Sequence, residues 1–364
     1  MVLTTPLHAE HEKLGASFTD FGGWSMPVRY GSDLEEHHNV RTGAGLFDIS
    51  HMAEIRVRGE RAGAFLDYAL ISKLSELAIS KAKYTLICNE AGGAIDDLIV
   101  YRIADDEFLI VANASNRHQV VVALTERQEN FADVEVLDES DEWALLALQG
   151  PKAQGVLDAL TAQDLTDEKY YSILSAQIQG VDVLLARTGY TGEDGFEIFV
   201  PDTHAVEIWQ LLSGQPEVNP CGLASRDTLR LEAGMPLYGH ELNLDVTPYE
   251  ANLQRVIRFD KGGFVGREAL EAMSTATPEF KLYGLIGEGK RAARAEYDIY
   301  LPGGEEPIGQ VTSGALSPTL GYPVAMAFLD GKLNLEIGTK LEADVRGTRI
   351  SYEIAKLPFY KRGR

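Results

Sequence analysis

Y-T-L-I-C (Tyr84 to Cys88), A-I-D-D-L-I-V-Y-R (Ala94 to Arg102) and E-F-L-I-V-A-N (Glu107 to Asn113) are three apolar runs separated by the turn-forming stretches N-E-A-G-G and A-D-D. Their β-branched and aromatic content predicts adjacent antiparallel strands. The helical pattern E-R-A-G-A-F-L-D-Y-A-L precedes them and N-R-H-Q-V-V-V-A-L-T-E-R follows, so the region reads as a sheet with helices on one face, an α+β layer. Within the middle run successive side chains alternate between faces. Asp97, Ile99 and Tyr101 therefore share one face, and Asp96, Leu98 and Val100 the other. Whichever way the strand is turned, one aspartate lies among apolar neighbours. A charged carboxylate in such a setting costs several kcal/mol, on the order of 3 or more, unless it is paired or employed. Alternation cannot choose between Asp96 and Asp97, and a half-exposed aspartate bonded to backbone amides beside Gly92-Gly93 is the competing structural reading.

Upstream, Ser32 and Asp33 are cap candidates for the helix D-L-E-E-H-H-N-V, and R-T-G-A-G-L-F-D-I-S-H-M leads through glycines into a strand. Downstream the α+β pattern repeats. E-W-A-L-L-A-L-Q reads as a strand, with Gly150-Pro151 opening a helix at its first turn. V-D-V-L-L-A and F-E-I-F-V are strands joined by a loop of glycines and acids, T-G-Y-T-G-E-D-G (Thr188 to Gly195). Asp194-Gly195 by itself signals a hairpin turn. Glu197 lies inside the returning strand between Phe196 and Ile198, where a salt bridge to Arg226 would account for it. Two more helices follow, the second stopped by Gly234, and beyond Phe280 short strands alternate with turns, which predicts a small β-barrel. The expected regions are 1–140, an α+β unit open to assembly from discontinuous segments, 141–275, a second α+β unit, and 280–364, the barrel.

The chain has 364 residues, enough for two or three domains, and 33 basic against 55 acidic residues give a net charge of −22. Nucleic acid is excluded as a partner, because no basic stripe of the size a polyanion needs is present. The basic runs Lys290 to Arg294 and Lys361 to Arg364 are surface charge or pockets for a small anion. Cys88 and Cys221 are far apart and have no metal-ligand spacing, and His37, His38 and His51 lack it too, so no metal site is expected. Neither a signal peptide nor an apolar run of membrane-spanning length is visible, and the expected location is cytoplasmic.

Taken together, R-T-G-A-G-L-F-D-I-S-H-M, G-G-A-I-D-D-L-I-V-Y, L-Q-G-P-K-A, R-T-G-Y-T-G-E-D-G-F-E-I, S-R-D-T-L-R-L-E-A-G-M-P-L-Y-G-H-E-L, S-G-A-L-S-P-T-L-G and L-P-F-Y-K-R-G resemble, in order, the T proteins of the glycine cleavage system. The resemblance implies three domains around a central folate cavity. It implies an aminomethyltransferase that takes the aminomethyl group from the lipoyl arm of H protein and passes its carbon to tetrahydrofolate. By resemblance Asp97 is the reacting-centre carboxylate and Glu197 binds the pterin edge. Tyr84, Tyr101, Tyr170 and Tyr190 are pocket walls, and Met52, Ile99, Val111 and Asn113 line it. Arg226 and Arg362 match arginines suited to the anionic end of folate. Asn252 and Arg255 depart from the family pattern, which has glycine and tryptophan there. Two rivals share the resemblance: a tetrahydrofolate-dependent demethylase of methylated amines or sulfonium compounds, and a folate-binding accessory protein of iron–sulfur maintenance. The latter resembles K-G-C-[YF]-x-G-Q-E, and this chain has Gly263 in place of the cysteine.

Overall fold

The computed structural model describes residues 2–363. The three opening runs form antiparallel strands Lys81–Cys88, Ala94–Ala104 and Glu107–Ala112, continued by Ala53–Arg58 and Glu135–Asp138 at the far edge. One face of this sheet carries Ile55, Val57, Leu98, Val100, Phe108 and Ile110, packed on Phe65 and Leu66 of helix Ala62–Ala69 and on Val120 and Leu124 of helix Arg117–Arg127. Each such side chain stabilises the fold by roughly 1.5–3 kcal/mol through burial. The turn at Gly93 admits no side chain, since a Cβ there would lie 1.8 Å from the Leu244 carbonyl oxygen.

The second sheet runs in the order Ile173–Ile178, Val181–Ala186, Gly195–Pro201, Trp143–Gln149, Ala44–Asp48 and Val218–Pro220, with only the last pair parallel. Residues 44–48 thus join strands that lie beyond residue 140. The outer face of the sheet packs on helices Ala153–Leu160 and Ala205–Ser213. Pro151 stands ahead of the first of these, before its N-cap Lys152, and not in its first turn. The inner faces of the two sheets meet in a layer that includes Tyr101, Leu109, Val111, Phe47, Ala147 and Phe199. Edge contacts also join them, the Ala82 N–H donating to the Tyr171 carbonyl and the Ile173 N–H to that of Ser80.

Strands Phe280–Gly287, Pro323–Asp330, Gly309–Leu316, Asp298–Tyr300, Lys340–Val345 and Thr348–Ala355 close the C-terminal barrel. Leu282 and Met326 of the barrel pack on Leu231 of helix Leu223–Glu232. The chain then returns along that helix, the Tyr360 N–H donating to the Glu232 carbonyl. Lys290 and Arg294 donate to the Gly321 and Gly314 carbonyls, which gives that basic run a place against the barrel's own backbone. Arg364, the last of the other basic run, lies outside the described residues. At Asn252 φ is +58°, and Asn is among the few non-glycine residues that enter this left-handed region readily, so the departure from glycine keeps the backbone path. Among the described residues no helix is long and apolar enough to cross a membrane.

Candidate functional site

The two aspartates of the middle strand separate as alternation requires. Asp96 is fully buried on the helix-covered face, and Asp97 is partly exposed on the face turned towards the second sheet. Tyr84, on the neighbouring strand, donates its hydroxyl to Asp97 Oδ2 at 3.1 Å, and Asn113 Nδ2 donates to Asp97 Oδ1 at 2.8 Å. Burial raises the Asp97 carboxyl above its ordinary value, opposed by these two donors. Asp96 is raised as well, by burial and then by the charge of Asp97. Three N–H groups point at its oxygens: Asn113 N at 2.8 Å, Asn113 Nδ2 at 2.8 Å and Asn116 Nδ2 at 2.7 Å.

Glu197 faces the layer between the sheets. Its Oε2 accepts from Thr188 Oγ1 at 2.5 Å and from the Tyr101 hydroxyl at 3.3 Å. The expected ion pair with Arg226 is absent among the described residues, because the loop before the strand delivers Thr188 to the carboxylate instead. Gln149 fixes that loop, its Nε2 donating to the Thr188 carbonyl at 3.1 Å and its Oε1 accepting from Thr191 Oγ1 at 2.9 Å. A Cβ on Gly189 would fall 1.9 Å from Gln149 Oε1, so the T-G-Y sequence needs its glycine. Asp194-Gly195 is no tight hairpin. Arg187 binds Asp194 at 2.5 Å and reaches the Leu165 and Glu168 carbonyls, which holds residues 187–194 in a wide loop.

Arg226 lies between the rings of Phe47 and Tyr190, its guanidinium carbon 5.9 and 5.1 Å from their centroids. Its Nη1 is buried without a hydrogen-bond partner, as is His51 Nδ1. Burial pushes His51 down to about 4, so the ring is neutral at pH 7. The Tyr190 hydroxyl donates to the Pro236 carbonyl. Arg362 pairs with Asp194 at 3.2 Å and stands 6.0 Å from the ring of Tyr170, which is 41% exposed at the rim. Met52 and Ile99 pack in the layer between the sheets with Tyr101 and Val111. Asp97, Tyr84 and Asn113 thus form one hydrogen-bonded group and Glu197, Thr188 and Tyr101 a second, while the Arg362–Asp194 pair stands near the ring of Tyr170. Gln149, Arg187 and Thr188 lie within the L-Q-G-P-K-A and R-T-G-Y-T-G-E-D-G-F-E-I stretches, and nothing in local periodicity marks their roles in holding the loop. A separate groove of about 950 Å³ between residues 239–250 and the barrel contains none of these residues.

Glu54 extends the row Tyr84, Ile99, Val111 across the sheet, since Tyr84 pairs with Ile99, Ile99 with Val111 and Val111 with Glu54. Both its oxygens are buried and unpartnered, and burial raises its carboxyl well above the usual range. The folded protein keeps this proton while the unfolded chain loses it near pH 4, so stability falls as pH rises from there towards the folded value. Glu54→Met should therefore raise the unfolding free energy measured in urea at pH 7 by on the order of 1–2 kcal/mol, with a correspondingly higher midpoint, and by less at pH 4.5. A lower midpoint at pH 7 would show that Glu54 has a stabilising partner.

Two facing α+β sheets, a closing barrel and a carboxylate held at the edge of the inner layer define a class of multidomain enzyme. A family described as the GCVT N-terminal domain matches residues 7–261, and one described as the glycine cleavage T-protein C-terminal barrel domain matches residues 281–361. The aminomethyltransferase of Cutibacterium acnes is 53% identical over 369 residues, covering 98% of this chain and 98% of the relative. That of Streptomyces coelicolor is 53% identical over 366 residues, covering 98% and 97%. The crystal structure of glycine cleavage system aminomethyltransferase T from Bartonella henselae superposes with a TM-score of 0.93 at 36% identity and covers 99% of each chain. The chain belongs to the glycine cleavage T-protein family.

Proposed function

We propose that this enzyme is the aminomethyltransferase of a glycine cleavage system. It transfers the methylene carbon of aminomethylated, lipoylated H protein to tetrahydrofolate, forming 5,10-methylenetetrahydrofolate, ammonia and the reduced dithiol. The observation that carries the reading is Asp97, a partly exposed carboxylate held by Tyr84 and Asn113 within a family whose full-length relatives bear that activity. Reduced folate supplies the two nitrogens that bond to the carbon. The C–S and C–N bonds of the N,S-acetal break, and the two protons leaving those nitrogens end on the thiol and on ammonia.

Breaking the acetal builds positive charge on the methylene carbon, and an oriented carboxylate stabilises that charge without reorganising. Asp97 fits this task because both oxygens are already fixed by donors and its remaining lone pairs are free for the reacting groups. Both hydrogen bonds to Glu197 fall on Oε2, which leaves Oε1 to accept from the amino edge of a pterin. The unpaired Arg226 Nη1 and half-exposed Arg362 suit groups bearing oxygen or negative charge, while Tyr84, Tyr101, Tyr170, Tyr190, Met52, Ile99, Val111 and Asn113 offer the surrounding walls. Ammonia release from aminomethylated H protein with tetrahydrofolate, run beside methylated-amine and sulfonium donors, tests the proposal. Turnover confined to the H-protein donor is expected, and turnover only with the methylated compounds would replace this reading by the demethylase.

A further inference from the structure

Asp96 and Asp97 point to opposite faces of the sheet, yet one side chain touches both. Asn113 Nδ2 lies 2.8 Å from Asp96 Oδ1 and 2.8 Å from Asp97 Oδ1, so its two hydrogens serve two carboxylates. The Asn113 backbone N–H also donates to Asp96 Oδ2 at 2.8 Å. Asn113 is thus gripped by Asp96 at main chain and side chain together, at the point where strand Glu107–Ala112 ends and the turn Ala114–Asn116 begins. The carboxylate environment also fixes which way the amide points, because an oxygen turned towards two carboxylates would be repelled. On its own face Asp96 stands beside Leu98 and Val100 and opposite Ile87, all in the apolar layer under the helices. Its oxygens meet donors only, which favours the ionised form against the burial and the Asp97 charge that raise this carboxyl to about 8.

We infer that Asp96 is a positioning residue for the transfer reaction: through Asn113 it aims the amide hydrogen that orients the Asp97 carboxylate. This rests on the proposed role of Asp97. Asn116 supplies the internal control, since its Nδ2 holds Asp96 at 2.7 Å without touching Asp97. A purely structural Asp96 would make its Asn113 and Asn116 contacts equivalent. A positioning Asp96 makes them differ, because only the first continues to the reacting carboxylate.

The test compares Asp96→Asn, Asn113→Ala, Asn116→Ala and the double variant Asp96→Asn with Asn113→Ala, each in the full chain. Ammonia release is followed with aminomethylated H protein and tetrahydrofolate. Asp96→Asn and Asn113→Ala should each lower kcat roughly tenfold or more, and the double variant should be no slower than the slower single one. The KM for tetrahydrofolate in Asp96→Asn should stay within about threefold of the unmutated enzyme. Asn116→Ala should lower the thermal midpoint while keeping kcat within about twofold. Losses that multiply in the double variant, an unchanged kcat in folded Asp96→Asn, or an equal kcat loss in Asn116→Ala would overturn the inference. If Asp96→Asn does not fold, Asp96→Ser in the full chain takes its place, with a kcat loss of roughly tenfold or more expected and an unchanged kcat overturning the inference. If the unmutated protein releases no ammonia, the functional reading fails separately. The relay is then judged by carboxyl ¹³C titration of Asp97, which should move upward in Asn113→Ala and stay in place in Asn116→Ala.

Discussion

Asp97→Asn is expected to lower ammonia release about a hundred- to a thousand-fold, the loss typical of removing one preorganised charge-stabilising group. The substitution keeps the shape of the side chain. The Tyr84 hydroxyl can still donate to an amide oxygen, whereas the Asn113 contact at 2.8 Å then meets either an amide nitrogen or a reoriented group. Folded stability should change by only about 1–2 kcal/mol, and tetrahydrofolate binding measured by calorimetry should largely remain. The pH dependence carries a second signature. The active form is the ionised carboxylate, and burial raises this carboxyl above its ordinary value. Activity is therefore present above the raised value and lost as pH falls through it, so the acid limb of kcat should lie above the position of a free aspartate, about 3.9. Near-normal turnover in folded Asp97→Asn would remove Asp97 from the reaction. An acid limb at the free-aspartate value would show instead that bound substrate restores an ordinary carboxylate environment.

Much of this architecture was legible because its elements repeat at short range. Alternation along Ala94 to Arg102 placed Asp97, Ile99 and Tyr101 on one face, and the structure puts that face against the second sheet. The choice between the two aspartates was not legible from alternation, since it depends on which face the helices cover. Glu197 illustrates the same limit. Its place inside an apolar strand marked it as unusual and suggested an arginine partner, but its donors are Thr188, nine residues earlier, and Tyr101 from the other sheet. Local periodicity does not report how two sheets dock. Nor does it reveal that Gln149, at the end of a strand, pins the loop carrying Tyr190. The left-handed backbone at Asn252 was detectable only as a departure from a family glycine, and its conformational meaning needed φ.

The longest-range feature was invisible in the sequence, and it leads to the largest expected effect on stability. Glu232, fully buried at the end of helix Leu223–Glu232, joins segments from across the chain. Its Oε2 accepts from Arg41 Nη2 at 2.7 Å and Thr319 Oγ1 at 2.7 Å and lies 3.3 Å from His37 Nε2. Its Oε1 accepts from the Thr319 N–H at 3.0 Å and from the Ser317 hydroxyl. Arg41 in turn binds Glu193 at 3.0 Å and stacks 3.9 Å from the centroid of Tyr360 in the returning tail. Helix Asp33–Thr42, the barrel, the acidic loop and the tail thus meet around the Glu232–Arg41 pair. Burial alone would raise this group, yet the His37 contact and the Ser317 and Arg41 hydrogen bonds bring it down to about 2. A folded value below the unfolded one, about 4.3, means stability that is complete above that pH and lost as pH falls towards about 2. Glu232→Gln should cost about 3–5 kcal/mol at pH 7, because it leaves a buried guanidinium without its main counter-charge. The first urea transition should shift accordingly, and the loss relative to the unmutated protein should shrink between pH 5 and pH 2, since protonation removes the same charge. Arg41→Met should be less damaging in the Glu232→Gln background than alone, as expected for two members of one buried pair. A midpoint at pH 7 unchanged by Glu232→Gln would mean that the neutral contacts from Ser317 and Thr319 hold the seam together without the charge.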